Sequence, residues 1–296
     1  MTNNQSGFQL MVLLMSMSIA LAGCGGGDGN DSSTPQPTPP TTQTCAGQTL
    51  SDGAECMRHN GRDVIIFSPD NQAAGIALFL HGAPGHPQKV MNIFDAQSIS
   101  SDLDLLAAAP QGSDSFWGWS SINNGTSVTD TEYLSGLVDT LRAENNITAD
   151  QVYVFGYSAG GFMAYKLACT MPEQLTGIIS LAGQFRGEFE HCSTSTSLKV
   201  HHFHSPSDSD VPIAGRSTGQ IRSVSETLAH WRQINGCSGT SSHVNHPGVT
   251  SSSAGTRTQS WDNCSSQLLF SQMDGVPHEA AYQSDVLRQI YSSIFE

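Results

Sequence analysis

The residues with the plainest chemical meaning are Gly156-Tyr157-Ser158-Ala159-Gly160-Gly161, directly after the apolar run Val152-Tyr153-Val154-Phe155. An apolar strand that runs into Gly-x-Ser-x-Gly and then a helical pattern is the layout of a nucleophile elbow, where a tight turn lifts the serine hydroxyl above a sheet. Gly156 and Gly160 stand two residues before and after the serine, where side chains would crowd strand or helix. Gly161 extends that tolerance and lets the helix start lie close to the sheet. Phe162, Met163, Tyr165, Lys166, Leu167 and Ala168 read as that helix, with its N-terminal amides facing the serine oxygen.

A serine hydroxyl is a poor nucleophile at neutral pH. It needs an imidazole to take its proton and a carboxylate to orient that imidazole. After a nucleophile elbow the chain order is Ser, acid, His. His278 follows Leu268-Leu269-Phe270 through a short loop close to the C-terminus, the strand-then-loop setting expected of the base. His230 falls inside a helical pattern, and His243 and His246 lie in a polar stretch with no strand reading before them. The acid is expected in His204-Ser205-Pro206-Ser207-Asp208-Ser209-Asp210, where position alone does not separate Asp208 from Asp210. Two backbone N–H donors are expected for an oxyanion: Ala159, after the nucleophile, and Ala83, after Leu80-His81-Gly82. His202 and His204 share a strand face and, with Asp208, suggest a metal site. No third convergent ligand is apparent beside them, so the expectation is packing or loop-bracing histidines, with no metal and no cofactor. Trp117 and Trp119, beside Phe116, are read as substrate-binding aromatics on a loop, with buried core anchors as the equal alternative.

These groups must be held by something. Val64–Phe67, Ile76–Leu80, Leu103–Ala109, the elbow strand, Ile178–Leu181, Leu198–His204 and Leu268–Ser271 read as strands. Several are continuous apolar runs, the pattern of strands buried on both faces. Thr129 and Glu132 are spaced as a capping box, and Tyr133, Leu134, Leu137, Val138 and Leu141 fall on one helical face. A helix is expected from about Ser217 to Ile234 and another after His278. Strands alternating with helices imply a mostly parallel central sheet with helices on both faces. The elbow makes that an α/β-hydrolase fold.

Residues 1–23 read as a signal peptide of the lipoprotein type. Leu10 to Ala22 is too short to span a membrane, and Leu21-Ala22-Gly23-Cys24 looks like a lipobox with Cys24 as the lipidated residue, although Met1–Gln9 holds no Lys or Arg. The alternative is an ordinary secretory signal cut nearby. Residues 24–44 are a Gly/Ser/Thr/Pro-rich tether. Residues 45–296, roughly 250 of them, suffice for one large catalytic domain. Cys45, Cys56, Cys169, Cys192, Cys237 and Cys264 are an even number in an exported chain, which points to disulfides. Connectivity is open; proximity in sequence suggests 45–56, 169–192 and 237–264. The net charge of −14, with only 12 Lys and Arg, disfavours a nucleic-acid partner, because binding a polyanion needs basic side chains.

From about Asp63 onward these residues resemble the polyhydroxybutyrate depolymerase and feruloyl esterase group of α/β-hydrolases. The resemblance is carried by Leu80-His81-Gly82, by Pro110-Gln111-Gly112 with Trp117, by Asp130, and by Asp150-Gln151-Val152-Tyr153-Val154 before the elbow. The group's acid lies in His-Gly-Thr-x-Asp-x-x-Val-Pro. His204, Ser205, Pro206, Asp208, Val211 and Pro212 match it, which favours Asp208 over Asp210. The base segment departs: Gly275-Val276-Pro277-His278-Glu279-Ala280 lacks the Trp-Pro that usually follows the histidine, and Ala159 stands where the group often has Asn. The resemblance implies an exported serine carboxylic-ester hydrolase acting on small or polymeric esters. Feruloyl or acetyl esters of plant polysaccharide and hydroxyalkanoate polyesters are the candidate substrates. The rival readings are a peptidase of the same fold and a catalytically silent, lipid-anchored binding protein.

Overall fold

The computed structural model describes residues 43–113, 115–118 and 129–296. The leader, Cys24, almost all of the tether and Trp119 lie outside the described residues. The strands are β1 (Thr44–Cys45), β2 (Gln48–Thr49), β3 (Glu55–His59), β4 (Arg62–Phe67), β5 (Gly75–Leu80), β6 (Leu105–Pro110), β7 (Val152–Tyr157), β8 (Gly177–Leu181), β9 (Lys199–His204), β10 (Ser241–His246), β11 (Thr256–Trp261) and β12 (Leu268–Met273). The helices are α1 (Pro87–Ile93), α2 (Ala96–Leu103), α3 (Asp130–Glu144), α4 (Ala159–Thr170), α5 (Val224–Ile234) and α6 (Ser284–Tyr291).

Ten strands form one sheet in the order β10-β11-β12-β9-β8-β7-β5-β6-β4-β3. From β6 through β5, β7, β8 and β9 to β12 every pairing is parallel, and antiparallel strands close both edges. The apolar runs explain the middle: β5, β6, β7 and β8 are buried at every residue. Two cores result, one on each face. Leu78, Leu134, Leu137, Met163 and Trp231 belong to one, and Phe79, Phe94, Phe155 and Tyr291 to the other. This is the α/β-hydrolase sheet expected from the sequence.

The capping box at α3 is present in full, with the Thr129 side chain accepting from the Glu132 N–H and the Glu132 carboxylate accepting from the Thr129 N–H. Three elements differ from expectation. β6 starts at Leu105, because Leu103 closes α2 and Asp104 turns the chain in the left-handed region at φ 51°. The helix expected from Ser217 begins at Val224, because Ser223 and Glu226 form a second capping box and Gln220 turns at φ 53°. His243 and His246 lie on β10, the exposed edge of a polar hairpin with β11. The disulfides are Cys45–Cys56, Cys169–Cys192 and Cys237–Cys264. Each closes a loop of fewer than thirty residues and so limits the freedom of the unfolded chain.

Candidate active site

The parallel strands all end on one side of the sheet, and the candidate residues gather there. Ser158 follows β7 at the centre. Its backbone is held at φ 54°, ψ −115°, a conformation that costs an L-residue of order 1–3 kcal/mol and persists because the surroundings enforce it. The Ser158 N–H donates to Leu181 O at 2.9 Å, and its carbonyl accepts from the N–H groups of Gly161 and Phe162 at 2.9 and 3.1 Å. The elbow glycines answer to sterics. A Cβ on Gly156 would stand 2.2 Å from Gly160 O, and one on Gly160 would stand 1.9 Å from Leu80 O. Neither position has room for a side chain.

His278 arrives from the far side. β12 lies three strand positions from β7, about 14 Å at ordinary strand spacing, so the loop after β12 has to bridge back over β9 and β8. Two contacts hold it there. The Val276 N–H donates to Ser205 Oγ at 3.2 Å, and Tyr157 OH donates to the His278 carbonyl at 2.8 Å. The imidazole ends 2.9 Å from Ser158 Oγ through Nε2 and 2.7 Å from Asp208 Oδ2 through Nδ1. Asp208 Oδ1 accepts from the N–H groups of Asp210 and Val211 at 3.0 and 2.8 Å. The Asp210 side chain is exposed, and its contribution to this network is through its backbone. Of the two carboxylates left open on position alone, Asp208 is the one within hydrogen-bond distance of His278.

Burial pushes the Asp208 carboxyl upward. The hydrogen bonds from His278 and Val211, with the neighbouring imidazoles, outweigh that and leave it below its ordinary value. The acid is ionised at neutral pH and can hold the His278 Nδ1 proton. The Nε2 lone pair then faces the serine hydroxyl, as proton abstraction requires. Ser158 keeps 9 % of its surface exposed, enough for approach from one side.

The N–H groups expected to meet an oxyanion, those of Ala159 and Ala83, sit on the other flank. Ala159 opens α4, so its N–H has no acceptor inside the helix. A Cβ on Gly82 would lie 3.4 Å from that of Ser158, which puts the Gly82–Ala83 segment directly against the serine. Its brace is a residue whose ring played no part in the sequence reading. His81 is buried, and burial lowers its imidazole to about 4, so it is neutral. Its Nδ1–H donates to Gly82 O at 2.6 Å and its Nε2 accepts from the Gly112 N–H at 2.9 Å.

For Trp117 the geometry matches the buried-anchor alternative. It is only 5 % exposed, and its indole N–H donates to His81 O at 2.9 Å. An indole N–H buried in a core needs an acceptor, and the His81 carbonyl supplies one. The adjoining Gly118 N–H donates to buried Asp130 Oδ2, and Asp130 is paired with Arg62 at 2.6 Å. The sequence reading also missed an apolar patch. Phe162, Val211 and Ile221 cluster with Ala159 packed on them, starting one residue after the serine and three after the acid. They are scattered along the chain, so no local pattern marks them.

Fold and site geometry define the class, an α/β-hydrolase with a Ser-His-Asp constellation at the strand ends. The Phospholipase/Carboxylesterase family matches residues 118–243, a span that holds Ser158 and Asp208 and ends before His278. Within the class, the sequence is 28 % identical over 251 residues to the probable feruloyl esterase C of Aspergillus oryzae, covering 79 % of this chain and 81 % of that one. It is 23 % identical over 150 residues to the bifunctional acetylxylan esterase/xylanase XynS20E of Neocallimastix patriciarum, covering 50 % of this chain and 22 % of that one. Among solved structures, an acetyl xylan esterase from Aspergillus awamori superposes with a TM-score of 0.57 at 14 % identity, covering 81 % of this chain and 98 % of that one. The chain spans between 22 % and 56 % of the length of three curated relatives it matches. The resemblance read from the sequence holds on its feruloyl esterase side.

Proposed function

We propose that this protein is a serine carboxylic-ester hydrolase that works through an acyl-enzyme. The observation that carries the reading is the hydrogen-bonded line from Ser158 Oγ through His278 to Asp208. Ser158 Oγ attacks the ester carbonyl while His278 Nε2 takes its proton, and the N–H groups of Ala159 and Ala83 hold the resulting oxyanion. The protonated His278, stabilised by Asp208, gives that proton to the leaving alcohol as the C–O bond breaks. Water then enters, loses a proton to the same nitrogen and releases the carboxylic acid from the serine. The similarity to feruloyl and acetylxylan esterases favours esters of plant polysaccharide. The apolar patch of Phe162, Val211 and Ile221 suits the acyl or aromatic part of such a substrate. Trp119, read from the sequence as a substrate-binding aromatic, stays part of this proposal.

Three disulfides favour an oxidising compartment. They support export of the chain; the leader over residues 1–23, the tether over 24–44 with lipid on Cys24 and the catalytic domain over 45–296 complete the proposal from the sequence. Polyester oligomers share the same catalytic requirement, so the substrate is decided by assay. The full chain is tested on methyl ferulate, acetylated xylan, hydroxybutyrate oligomers and a short activated ester, with Ser158→Ala as the blank. Turnover of ferulate or acetyl esters that vanishes in the Ser158→Ala protein supports the reading. No Ser158-dependent turnover by folded protein on any of the four contradicts it.

A further inference from the structure

β9 carries three wholly buried histidines, His201, His202 and His204, and the reaction as described uses none of them. A buried imidazole is costly unless its ring nitrogens are bonded. His201 is bonded at one nitrogen, with Nε2 2.8 Å from Ser271 Oγ on the neighbouring strand, and its buried Nδ1 has no partner among the described residues. His202 and His204 face the opposite side of the sheet, since alternate strand residues share a face. Their bonds run toward the site.

We propose that Tyr165, His202 and His204 form a directional hydrogen-bond relay that positions Asp208, with His204 as the positioning residue. This rests on the reading of Asp208 as the catalytic acid. His204 Nε2 lies 2.7 Å from Val211 O and 3.7 Å from Asp208 Oδ2. A carbonyl only accepts, so His204 carries its proton on Nε2. Its Nδ1 is then the acceptor in the 3.2 Å contact with His202 Nε2, which must donate. That leaves His202 Nδ1 as an acceptor, filled by Tyr165 OH at 3.1 Å. Every proton in the line is assigned, and all point toward the acid's loop. Val211 closes the connection, because its N–H donates to Asp208 Oδ1 at 2.8 Å.

Both imidazoles are held neutral by burial, with the Val211 carbonyl and the Asp208 charge opposing this at His204. Neutrality matters, since an imidazolium has no acceptor nitrogen and would break the line. Tyr165 lies seven residues after Ser158 on α4, about 10 Å along the helix. The relay therefore ties the loop that bears the acid to the helix that begins at the nucleophile, through the core and without touching the reacting atoms.

Two substitutions separate positioning from packing. His204→Gln can place an amide N–H where Nε2 stands and keep the bond to Val211 O, whereas His204→Asn is too short to reach it. With a turned-over ester as probe, His204→Gln is expected to keep kcat within about threefold of the parent, and His204→Asn to lose about tenfold or more, with KM little changed in both. Equal kcat losses in the two folded variants would overturn the proposal. A second measurement does not need activity: nitrogen-15 NMR of the imidazoles in the full chain at neutral pH. It should show His202 and His204 protonated at Nε2 and bare at Nδ1. An Nδ1 proton on either ring would overturn the relay even if the esterase reading stands. A correct pair of tautomers in a protein without esterase activity would uphold the relay while removing that reading.

Discussion

The two flanks of Ser158 are fixed by neutral buried histidines used in different ways. On the oxyanion side His81 acts locally: one ring nitrogen holds the carbonyl of the next residue, the other holds Gly112, and Trp117 secures its backbone. On the acid side His204 acts at a distance, through Val211, and is itself oriented by His202 and Tyr165. The short brace suits a segment that lies directly against the serine. The long one suits a loop on β9, two strand positions from β7, whose carboxylate has to meet an imidazole arriving from β12. A charged imidazole would serve neither flank, since each ring must donate with one nitrogen and accept with the other.

The sharpest test of the acid flank compares two neighbouring carboxylates. Asp208→Asn should lower kcat by a factor on the order of 10³ to 10⁴, because the amide cannot stabilise the imidazolium that forms on His278. Asp210→Asn, which keeps the backbone N–H that Asp208 uses, should stay within about threefold of the parent. Comparable losses in steady-state assays would show that the geometric choice of acid is mistaken.

Acid should loosen both flanks together. Burial lowers the imidazoles of His81 and His201 to about 4 and about 3, and those of His202 and His204 also lie below the ordinary value. Unfolded imidazoles titrate near 6.5, so the unfolded chain takes up protons first. Stability is thus complete above about pH 6.5 and falls as pH drops toward the folded values, by on the order of 1 kcal/mol per pH unit for each imidazole. Urea unfolding at pH 7.5 and 5.5 measures this; an unchanged midpoint with an unchanged slope would mean these rings are not held neutral.

A smaller and one-sided effect is expected from Trp117→Phe. It keeps an aromatic ring against His81 and removes the 2.9 Å bond to His81 O. A loss of about 1 kcal/mol and a several-fold drop in kcat should follow, with no change in the response to Asp208→Asn. If KM rose steeply while kcat held, the tryptophan would be touching substrate after all.

Legibility in the sequence followed the same division between local and distant. The elbow could be read because its sterics act over four residues, and the buried strands because their apolar runs are continuous. Asp208 was only one of two candidates on position, since what separates it from Asp210 is a hydrogen bond to a residue 70 positions away. The β10–β11 hairpin escaped notice because Ser241–His246 is polar and exposed almost throughout, with no alternation to mark a strand. The capping box of Ser223 and Glu226 was readable and set the true start of α5. Trp117 illustrates the limit: a tryptophan on a Gly/Ser-rich loop looks the same in sequence whether its indole faces substrate or a buried carbonyl.

The most direct test of the account is to trap the nucleophile. Full-length protein is treated with an alkyl fluorophosphonate, and the adduct is located by peptide mass spectrometry. The account predicts one adduct, on Ser158, accompanied by loss of ester turnover, and strongly slowed labelling in His278→Ala. Labelling elsewhere, or no labelling of folded protein that still hydrolyses esters, would contradict it.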